Sequence, residues 1–253
     1  MKTIISPAMK MEVKNNDFSA KTPPQFLPEA KELRDFLLTQ NREQLAAIWQ
    51  SSPAITQVGI DQLQDLNFTE NLTPAVFSFS GIQYQYLTPD IFDQAALAFM
   101  QDHVRILSGL YGVLRLFDGV NPYRLEMKNK LPGFGDGNLY HFWGSKLADN
   151  LFQDTDTVIN LASKEYSKAI APYLGNGRTM ITVDFQELKQ GKWKTVGVHA
   201  KMARGELTKF ICEKALDQPE ELREFNDFGF VFDEKNSTET NYVFRTEFDF
   251  TRH

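Results

Sequence analysis

Apolar residues recur along this chain with both the helical and the strand period, and the two kinds of block are interspersed. Residues Lys2 to Ser6 form a short apolar block that ends at Pro7, which predicts a buried strand. Pro28 opens a block in which apolar residues have helical spacing. Between these two blocks, the polar and proline-containing residues 14–28 predict a long surface loop.

The same two patterns continue to the end of the chain. Helices are predicted over residues 41–49, 61–68, 88–101, 139–152, 164–171 and 200–216. Strands are predicted over residues 75–79, 157–161, 178–188, 193–199, 228–233 and 241–248. Because the two kinds of element do not follow the regular spacing of repeated βαβ units, we expect one α+β domain over residues 1–253, built around a mixed sheet.

The composition is that of an ordinary globular protein, with 42% hydrophobic and 24% charged residues. Cys212 is the single cysteine, which excludes an intramolecular disulfide and a cysteine-rich metal cluster. Its apolar neighbours favour a buried, inert thiol. The apolar stretch at the N terminus is too short for a signal peptide or a membrane helix, so we expect a cytoplasmic protein with no membrane association.

Charge is distributed unevenly, although the net charge of −6 alone argues against bulk attraction to nucleic acid. Residues 103–130 carry +3 and residues 189–209 carry +5, which leaves −14 for the rest of the chain. This asymmetry is compatible with one basic face for an anionic partner. It is equally compatible with solvated surfaces and ordinary ion pairs.

Most familiar catalytic and cofactor motifs are absent. The sequence contains no P-loop, no dinucleotide-binding glycine pattern, no Gly-x-Ser-x-Gly and no His-Glu-x-x-His. The histidines lack the spacing of a helical metal pair and are expected to be structural. They are His103, His141, His199 and His253. No metal site and no cofactor is predicted.

A glycine-containing segment offers the first candidate site. Gly109 and Gly112 flank Leu110-Tyr111 in an apolar stretch between Arg105 and Arg115. A tight turn between two helices would leave backbone N–H groups that suit a phosphate oxygen, with Arg115 beside it. A buried strand before Gly109, with the glycines allowing close packing, explains the pattern equally well.

A second candidate site is the segment that contains Arg124 and Glu126, which share one side if the chain is extended. Arg124 suits a phosphate, and Glu126 can orient it or act as a base, although a plain ion pair is common. Other polar residues that need explanation are Ser6, Lys10, Lys164, Tyr166, Lys201 and Arg204. Lys201 and Arg204 stand at a predicted helix start, where the helix dipole disfavours cations unless an anion is near.

Seven segments together resemble the YaaA family of peroxide-stress proteins. They are Ile5–Ala8, Leu107–Arg115, Asn121–Met127, Leu139–Gly144, Val158–Ser163 with Glu165 and Tyr166, Ala200–Gly205 and Phe228–Phe230. The resemblance implies a compact α+β fold peculiar to the family, a helix-hairpin-helix element, a basic cleft, and binding to duplex DNA, including distorted DNA. It also implies a role in hydrogen peroxide stress, where the family helps keep intracellular free iron low. We place the implied hairpin at Gly109 to Gly112.

This chain departs from the family pattern at two lysines. Met9 stands where the family has a lysine, with Lys10 next to it, and Ser80 replaces the lysine of a Phe-Lys-Gly motif. These losses weaken the case for phosphate contacts at those positions. The charged residues that match the family are Arg115, Arg124, Glu126, Lys201 and Arg204.

Three functional hypotheses follow. In the first, a basic cleft holds the phosphates of double-stranded DNA. The residues expected in that cleft are Lys10, Arg105, Gly109, Gly112, Arg115, Arg124, Lys164, Lys201 and Arg204. In the second, Ser6, Arg124 and Glu126 line a deep pocket that holds a small phosphorylated ligand, or that belongs to an enzyme acting on a nucleotide or nucleic-acid base. The third, direct iron binding, is suggested only by the family's physiology.

Overall fold

The computed structural model describes residues 1–14 and 18–250. The strands are β1 (Lys2–Ile5), β2 (Lys10–Met11), β3 (Thr73–Pro74), β4 (Phe79–Ser80), β5 (Val104–Ser108), β6 (Gly112–Leu114), β7 (Gly119–Val120), β8 (Thr157–Leu161), β9 (Thr179–Lys189), β10 (Lys192–Lys194), β11 (Val231–Phe232) and β12 (Asn241–Thr246). The α-helices are α1 (Leu27–Leu38), α2 (Arg42–Trp49), α3 (Pro53–Asp65), α4 (Ala75–Ser78), α5 (Ile82–Leu87), α6 (Gln94–His103), α7 (Leu139–Trp143), α8 (Lys146–Leu151), α9 (Lys164–Ser167) and α10 (Gly197–Lys214). Short 3-10 helices lie at Pro89–Ile91, Ala171–Tyr173, Pro219–Glu224, Asp227–Gly229 and Glu234–Asn236.

A mixed sheet forms the centre of the fold. Within the described residues it has eight strands in the order β11–β12–β9–β8–β1–β5–β6, with β10 paired to β9. The inner strands β12, β9, β8, β1 and β5 are parallel to one another, while β11, β6 and β10 are antiparallel to their neighbours. The predicted α+β class with one mixed sheet is confirmed.

Strand β1 lies between β5 and β8, and the carboxyl ends of these three parallel strands meet at one edge of the sheet. After β1, the chain returns to the main sheet as β5, which lies on one side of the β1–β8 pair. After β8, it returns as β9, which lies on the other side of this pair. Connections that diverge from two neighbouring strands leave a crevice at the carboxyl edge, where ligands commonly bind. The topology therefore marks the ends of β1 and β8 as a place for a site.

The middle of the sheet is the centre of the hydrophobic core. Ile4 and Ile5 of β1 and Val158 and Ile159 of β8 are fully buried. Such continuous apolar runs are typical of parallel strands that are covered on both faces. Helix α10 packs directly on α5, so the two helices hold each other in position beside the sheet.

Most predicted elements are present with shifted ends, but several differ in type or are divided. The helix predicted over residues 88–101 is a 3-10 helix at Pro89–Ile91 followed by α6, and the strand predicted over residues 228–233 begins as the 3-10 helix Asp227–Gly229. Residues 75–78 form α4 instead of a strand. The single helix predicted over residues 139–152 is two helices, broken at Gly144, whose φ of 49° ends α7. Helix α10 begins at Gly197 and so includes part of the strand predicted over residues 193–199. Residues 75–78 are all buried, and a short apolar run of this kind suits a buried helical turn as well as a strand.

Gly109 and Gly112 lie in the turn of a β-hairpin, not between two helices. β5 ends at Ser108, which pairs with Gly112 at the start of β6. Leu110 and Tyr111 at the tip are buried, and the Tyr111 N–H donates to Ser108 Oγ. The helical placement of the hairpin is therefore wrong and the strand alternative is correct, because the side chains of the turn fill the core.

The predicted surface loop over residues 14–28 includes residues 15–17, which lie outside the described residues. Its described part runs beside the chain segment that comes after β6, and the Lys21 N–H donates to the Phe117 carbonyl oxygen there at 3.0 Å. The loop ends where α1 begins. None of the helices that the structure describes combines the length and the apolar character needed to cross a membrane.

Candidate functional site

A pocket of about 510 Å³ opens at the carboxyl edge of the sheet, beside the ends of β1 and β8. Its walls are residues 6–10 after β1, residues 80–84 at the start of α5, residues 123–126, residues 163, 165 and 166 after β8, and residues 201 and 204 of α10. The volume is in the range of small-molecule sites, and the location is the one that the sheet topology marks.

Ser6 ties three walls of this pocket together. Its Oγ accepts a hydrogen bond from the Ser163 N–H at 2.8 Å, and its carbonyl oxygen accepts one from the Tyr84 hydroxyl at 2.9 Å. The turn after β1 is thus joined to the turn after β8 and to α5. As Ser6 Oγ acts only as an acceptor in these contacts, its hydroxyl hydrogen is available to a ligand.

The segment before Met127 brings Arg124 and Glu126 to the pocket together. Tyr123 and Leu125 are buried while Arg124 and Glu126 are partly exposed, which is the alternation of an extended chain. This alternation supports the expectation that the two charged residues share one side, and both line the pocket. Gly109 makes this possible, because a Cβ there would collide with the Leu125 carbonyl oxygen.

Arg124, Lys201 and Arg204 supply positive charge to one wall of the pocket. In residues 1–14 and 18–250, no side-chain hydrogen bond or ion pair joins these three residues to an acceptor, and Nε of both arginines is enclosed without one. Burial lowers the pKa of Arg204, and Asp184 offsets part of this effect. Because an enclosed guanidinium N–H without an acceptor is costly, the two half-buried arginines make this wall of the pocket complementary to an anion.

The α10 cations do not lie where the sequence analysis placed them. Because α10 begins at Gly197, Lys201 and Arg204 lie beyond its first turn. The helix dipole acts mainly within the first and last turns, so the predicted conflict with it does not arise. The reason to expect an anion is the missing acceptor around the arginines, not the position in the helix.

Two carboxylates lie on another side of the pocket. Lys128 Nζ is 3.4 Å from Glu126 Oε2 and 3.7 Å from Glu165 Oε2, and the Lys128 N–H donates to Glu165 Oε1 at 3.2 Å. Burial raises the pKa of Glu165, the Lys128 N–H opposes this, and the charge of Glu126 adds to it. Glu165 therefore keeps its proton to a higher pH than an ordinary glutamate, as a general acid requires.

Gln83 and Tyr84 line the pocket, and the sequence analysis misses both. Gln83 is 6% exposed, and its Nε2 is buried without an acceptor. Burial raises the pKa of Tyr84 well above that of an ordinary tyrosine. The available signal was Gly81, which precedes them and approaches closely to the turn after β1, where a Cβ would lie 3.0 Å from Ala8 Cβ.

Lys10 and Lys164 are solvent-facing. Lys10 lines the rim of the pocket with 72% of its side chain exposed, and its Nζ lies 2.7 Å from Glu12 Oε1. Lys164 is exposed at the start of α9 and does not line the pocket, although its neighbours Ser163 and Glu165 do. Neither lysine is held by burial.

Arg105 and Arg115 lie at the opposite edge of the sheet, so one cleft containing all the predicted arginines is not formed. Arg105 stands at the amino end of β5, and its Nη1 donates to the carbonyl oxygens of Gln101 and Val104 at 2.9 Å. Arg115 follows antiparallel β6 and therefore reaches the same amino edge. The polarity of the strands separates this pair from the pocket at the carboxyl edge.

The described histidines have structural partners. His103 Nδ1 is 2.9 Å from the Met1 carbonyl oxygen, His141 Nδ1 is 3.0 Å from Asn138 Nδ2, and His199 Nδ1 is 2.7 Å from Glu187 Oε2. His253 lies outside the described residues. Across residues 1–14 and 18–250, no group of three or more His, Cys, Asp or Glu side chains is arranged to hold a metal ion. Cys212 is buried, as predicted, and burial raises the pKa of its thiol.

Comparison with known proteins gives one consistent result. Residues 1–236 match the family model described as peroxide stress protein YaaA. A UPF0246 protein of Lactobacillus helveticus is 52% identical over 253 residues, which is 100% of both chains, and one of Lactobacillus acidophilus is 51% identical over the same span. A UPF0246 protein of Lactiplantibacillus plantarum is 43% identical over 244 residues, which is 96% of this chain and 98% of the relative.

Proposed function

This chain belongs to the family of the peroxide stress protein YaaA, and from that premise we propose that its pocket binds the phosphate of a nucleotide, either free or within DNA. The observation that carries the proposal is that Arg124 and Arg204 line one pocket and have no acceptor among the described residues. Guanidinium groups stay charged when buried and bind phosphate through paired N–H donors. A phosphate group supplies the acceptors that the surrounding protein lacks.

The size of the pocket favours a single nucleotide over a length of duplex. A volume of about 510 Å³ suits a small molecule, and only three unpaired cations line the pocket among the described residues. DNA would therefore enter it as one unstacked nucleotide. Because gapped or bent duplexes unstack a nucleotide at a lower cost, we expect them to bind more tightly than straight duplex.

The proposal is tested by removing both arginines. We expect Arg124→Gln/Arg204→Gln to lower the affinity for nucleoside monophosphates by about a hundredfold or more, since hydrogen bonds to charged groups contribute about 1.5–3 kcal/mol each. Isothermal titration calorimetry measures free nucleotides, and fluorescence anisotropy measures straight, gapped and bent duplexes. The matched control Lys31→Gln/Arg42→Gln removes the same charge from exposed positions on α1 and α2.

The calorimetric and anisotropy measurements together show whether the bound phosphate belongs to a free nucleotide or to DNA. Tight binding of mononucleotides with weak binding of every duplex assigns the pocket to a free nucleotide, and the reverse assigns it to DNA. If DNA binds, its affinity should fall with salt by no more than about 2.7 log units per log unit of salt, because three cations neutralise at most three phosphates. Equal losses in the pocket variant and the control would contradict the proposal, since they would show an effect of net charge alone.

Catalysis on the bound nucleotide is the second candidate function, and one observation favours it. Ser6, Arg124 and Glu126 line the same pocket, which is the arrangement that favours an enzyme acting on a nucleotide or a nucleic-acid base. We expect Ser6→Ala and Glu126→Gln to bind nucleotides but to convert them more slowly than the wild type. Mass spectrometry of mononucleotides and single-stranded DNA after incubation detects any conversion. If the wild type converts none of them, the catalytic function is ruled out for these substrates.

A third proposal concerns intracellular free iron and the same pocket. We propose that the protein helps limit intracellular free iron during peroxide stress and that Arg124 and Arg204 are needed for it. Chelatable iron is measured by electron paramagnetic resonance in cells that lack the protein and carry either the wild type or Arg124→Gln/Arg204→Gln. Restoration of low iron by the wild type alone supports the link, and equal restoration by both contradicts it.

A further inference from the structure

The side chain of Gln83 is the buried polar group of the pocket that phosphate binding does not use. Gln83 is 6% exposed and lines the pocket, and its Nε2 makes no hydrogen bond to any described residue. Buried side-chain amides nearly always have partners, so an amide without one needs an explanation. A ligand that occupies the pocket can supply the missing contact.

The backbone of Gln83 is held in place by close packing on two sides. A Cβ at Gly205 of α10 would collide with the Gln83 carbonyl oxygen, which shows how closely the two backbones approach. Gly81 approaches the turn after β1 in the same way, where Ala8 Cβ lies 3.0 Å from the position of an added Cβ. The start of α5 is therefore packed between α10 and the turn after β1, and Gln83 lines the same pocket as Arg204, the residue that precedes Gly205.

The pocket surface around Gln83 is partly aromatic. Tyr84 and Tyr123 line the pocket and are buried, and their rings lie 5.6 Å and 6.5 Å from the ring of Phe79. Aromatic side chains favour contact with flat heterocycles. The side-chain amide of glutamine has an NH2 donor group beside a carbonyl acceptor, so it pairs with a base edge that offers an acceptor next to a donor.

We propose that Gln83 is a specificity-determining residue that recognises the hydrogen-bonding edge of a nucleobase, while Arg124 and Arg204 hold the phosphate of the same nucleotide. This inference rests on the proposed function and adds the part of the ligand that the arginines do not contact. The pocket then distinguishes a nucleotide from other phosphorylated compounds, and one base from another.

The test compares the wild type, Gln83→Met and Arg124→Gln/Arg204→Gln by isothermal titration calorimetry. The ligands are AMP, GMP, CMP, UMP, the corresponding nucleosides and ribose 5-phosphate. Methionine keeps the length of the side chain and removes both hydrogen-bonding atoms. We expect Gln83→Met to bind the preferred nucleotide about 5- to 100-fold more weakly, which corresponds to the loss of one base contact, and to bind ribose 5-phosphate like the wild type.

The two proposals fail in different ways. If the wild type binds all four nucleotides and ribose 5-phosphate equally, and Gln83→Met changes nothing, then phosphate binding stands and base recognition is wrong. If nucleosides bind in a Gln83-dependent way but the arginine variant binds nucleotides normally, base recognition stands and the phosphate assignment is wrong. Because Gln83→Met removes an unpartnered buried donor, its melting temperature should equal or exceed that of the wild type, which separates a binding effect from unfolding.

Discussion

At the scale of single residues, Glu165 is expected to make the proposed anion binding depend on pH. Its pKa in the folded protein lies above the ordinary value of 4.5, chiefly because it is buried. The protonated form therefore dominates at low pH, and ionisation as the pH rises adds a negative charge to the pocket for which we propose an anion. The same ionisation is unfavourable for folding, so the contribution of Glu165 to stability is also lost as the pH rises through its folded-state pKa.

We expect nucleotide affinity to decrease as the pH rises above 4.5 through the raised pKa of Glu165. Glu165→Gln should bind as tightly as the protonated wild type and should remove this part of the pH dependence. Calorimetric titrations with AMP from pH 4.5 to pH 8 measure both, after correction for the second ionisation of the phosphate itself, whose pKa is about 6. Parallel pH profiles for the wild type and the variant would show that Glu165 does not titrate in this range.

The residues of the pocket differ in how far the sequence predicts them. Arg124 and Glu126 are predictable because two residues in an extended chain share one side, and this relation needs only local geometry. Gln83 is not predictable, since its role depends on α10 packing against α5 from more than a hundred positions away. A glutamine on a short helix gives no local sign that its amide lacks a partner.

At the scale of elements, Gly205 controls the contact between α10 and α5. We expect Gly205→Ala to lower the free energy of unfolding by about 1–3 kcal/mol, because the added methyl group collides with the Gln83 carbonyl oxygen and the helices must separate. The same shift should weaken nucleotide binding, as it moves Gln83 and Arg204 apart. Urea denaturation and calorimetry measure the two effects.

Gly197→Ala is the matched control, since nothing lies within 4 Å of an added Cβ at this first residue of α10. We expect it to leave affinity unchanged and to be neutral or slightly stabilising. If Gly205→Ala is as stable as this control, the close approach of the two helices is not a constraint on the fold.

Predictions of helices and strands succeed where the spacing of apolar residues is regular, and they fail where tertiary packing overrides that spacing. The long strand β9 and the short strand β1 follow from their apolar runs and flanking breakers. The hairpin at Gly109 to Gly112 does not, since glycines between apolar residues suit either a helical turn or a strand turn. The pairing of β5 with β1 on one side and with β6 on the other decides between these two conformations.

At the scale of the whole molecule, the arginines at the two edges of the sheet have different surroundings. Arg115 at the amino edge contacts Asp118, which is fully buried, through Nε at 3.0 Å and Nη2 at 2.8 Å. The Asp118 carboxylate also accepts from the Arg115 N–H and from Thr22 Oγ1. These contacts fasten the segment after β6 to the loop before α1, so this arginine has a structural partner, unlike Arg124 and Arg204.

We therefore expect Arg115→Gln to lower the free energy of unfolding by about 3 kcal/mol, because it leaves a buried carboxylate without its cation. Nucleotide affinity at the pocket should stay within twofold of the wild-type value. Chemical denaturation and calorimetry at a temperature where the variant is folded measure the two quantities. Reduced DNA affinity without any loss of stability would instead place Arg115 in a DNA-binding surface.

The pocket is assembled from residues that are distributed over most of the chain, from Ser6 in the first turn after β1 to Arg204 in α10. A nascent chain therefore cannot hold the ligand until α10 has left the ribosome and packed on α5. A ligand that binds only the completed fold adds to its stability according to its concentration relative to its dissociation constant. If the pocket binds a nucleotide as we propose, the cellular nucleotide supply would raise the fraction of newly made copies that is folded, and removal of unfolded copies would make the amount of this protein depend on its own ligand.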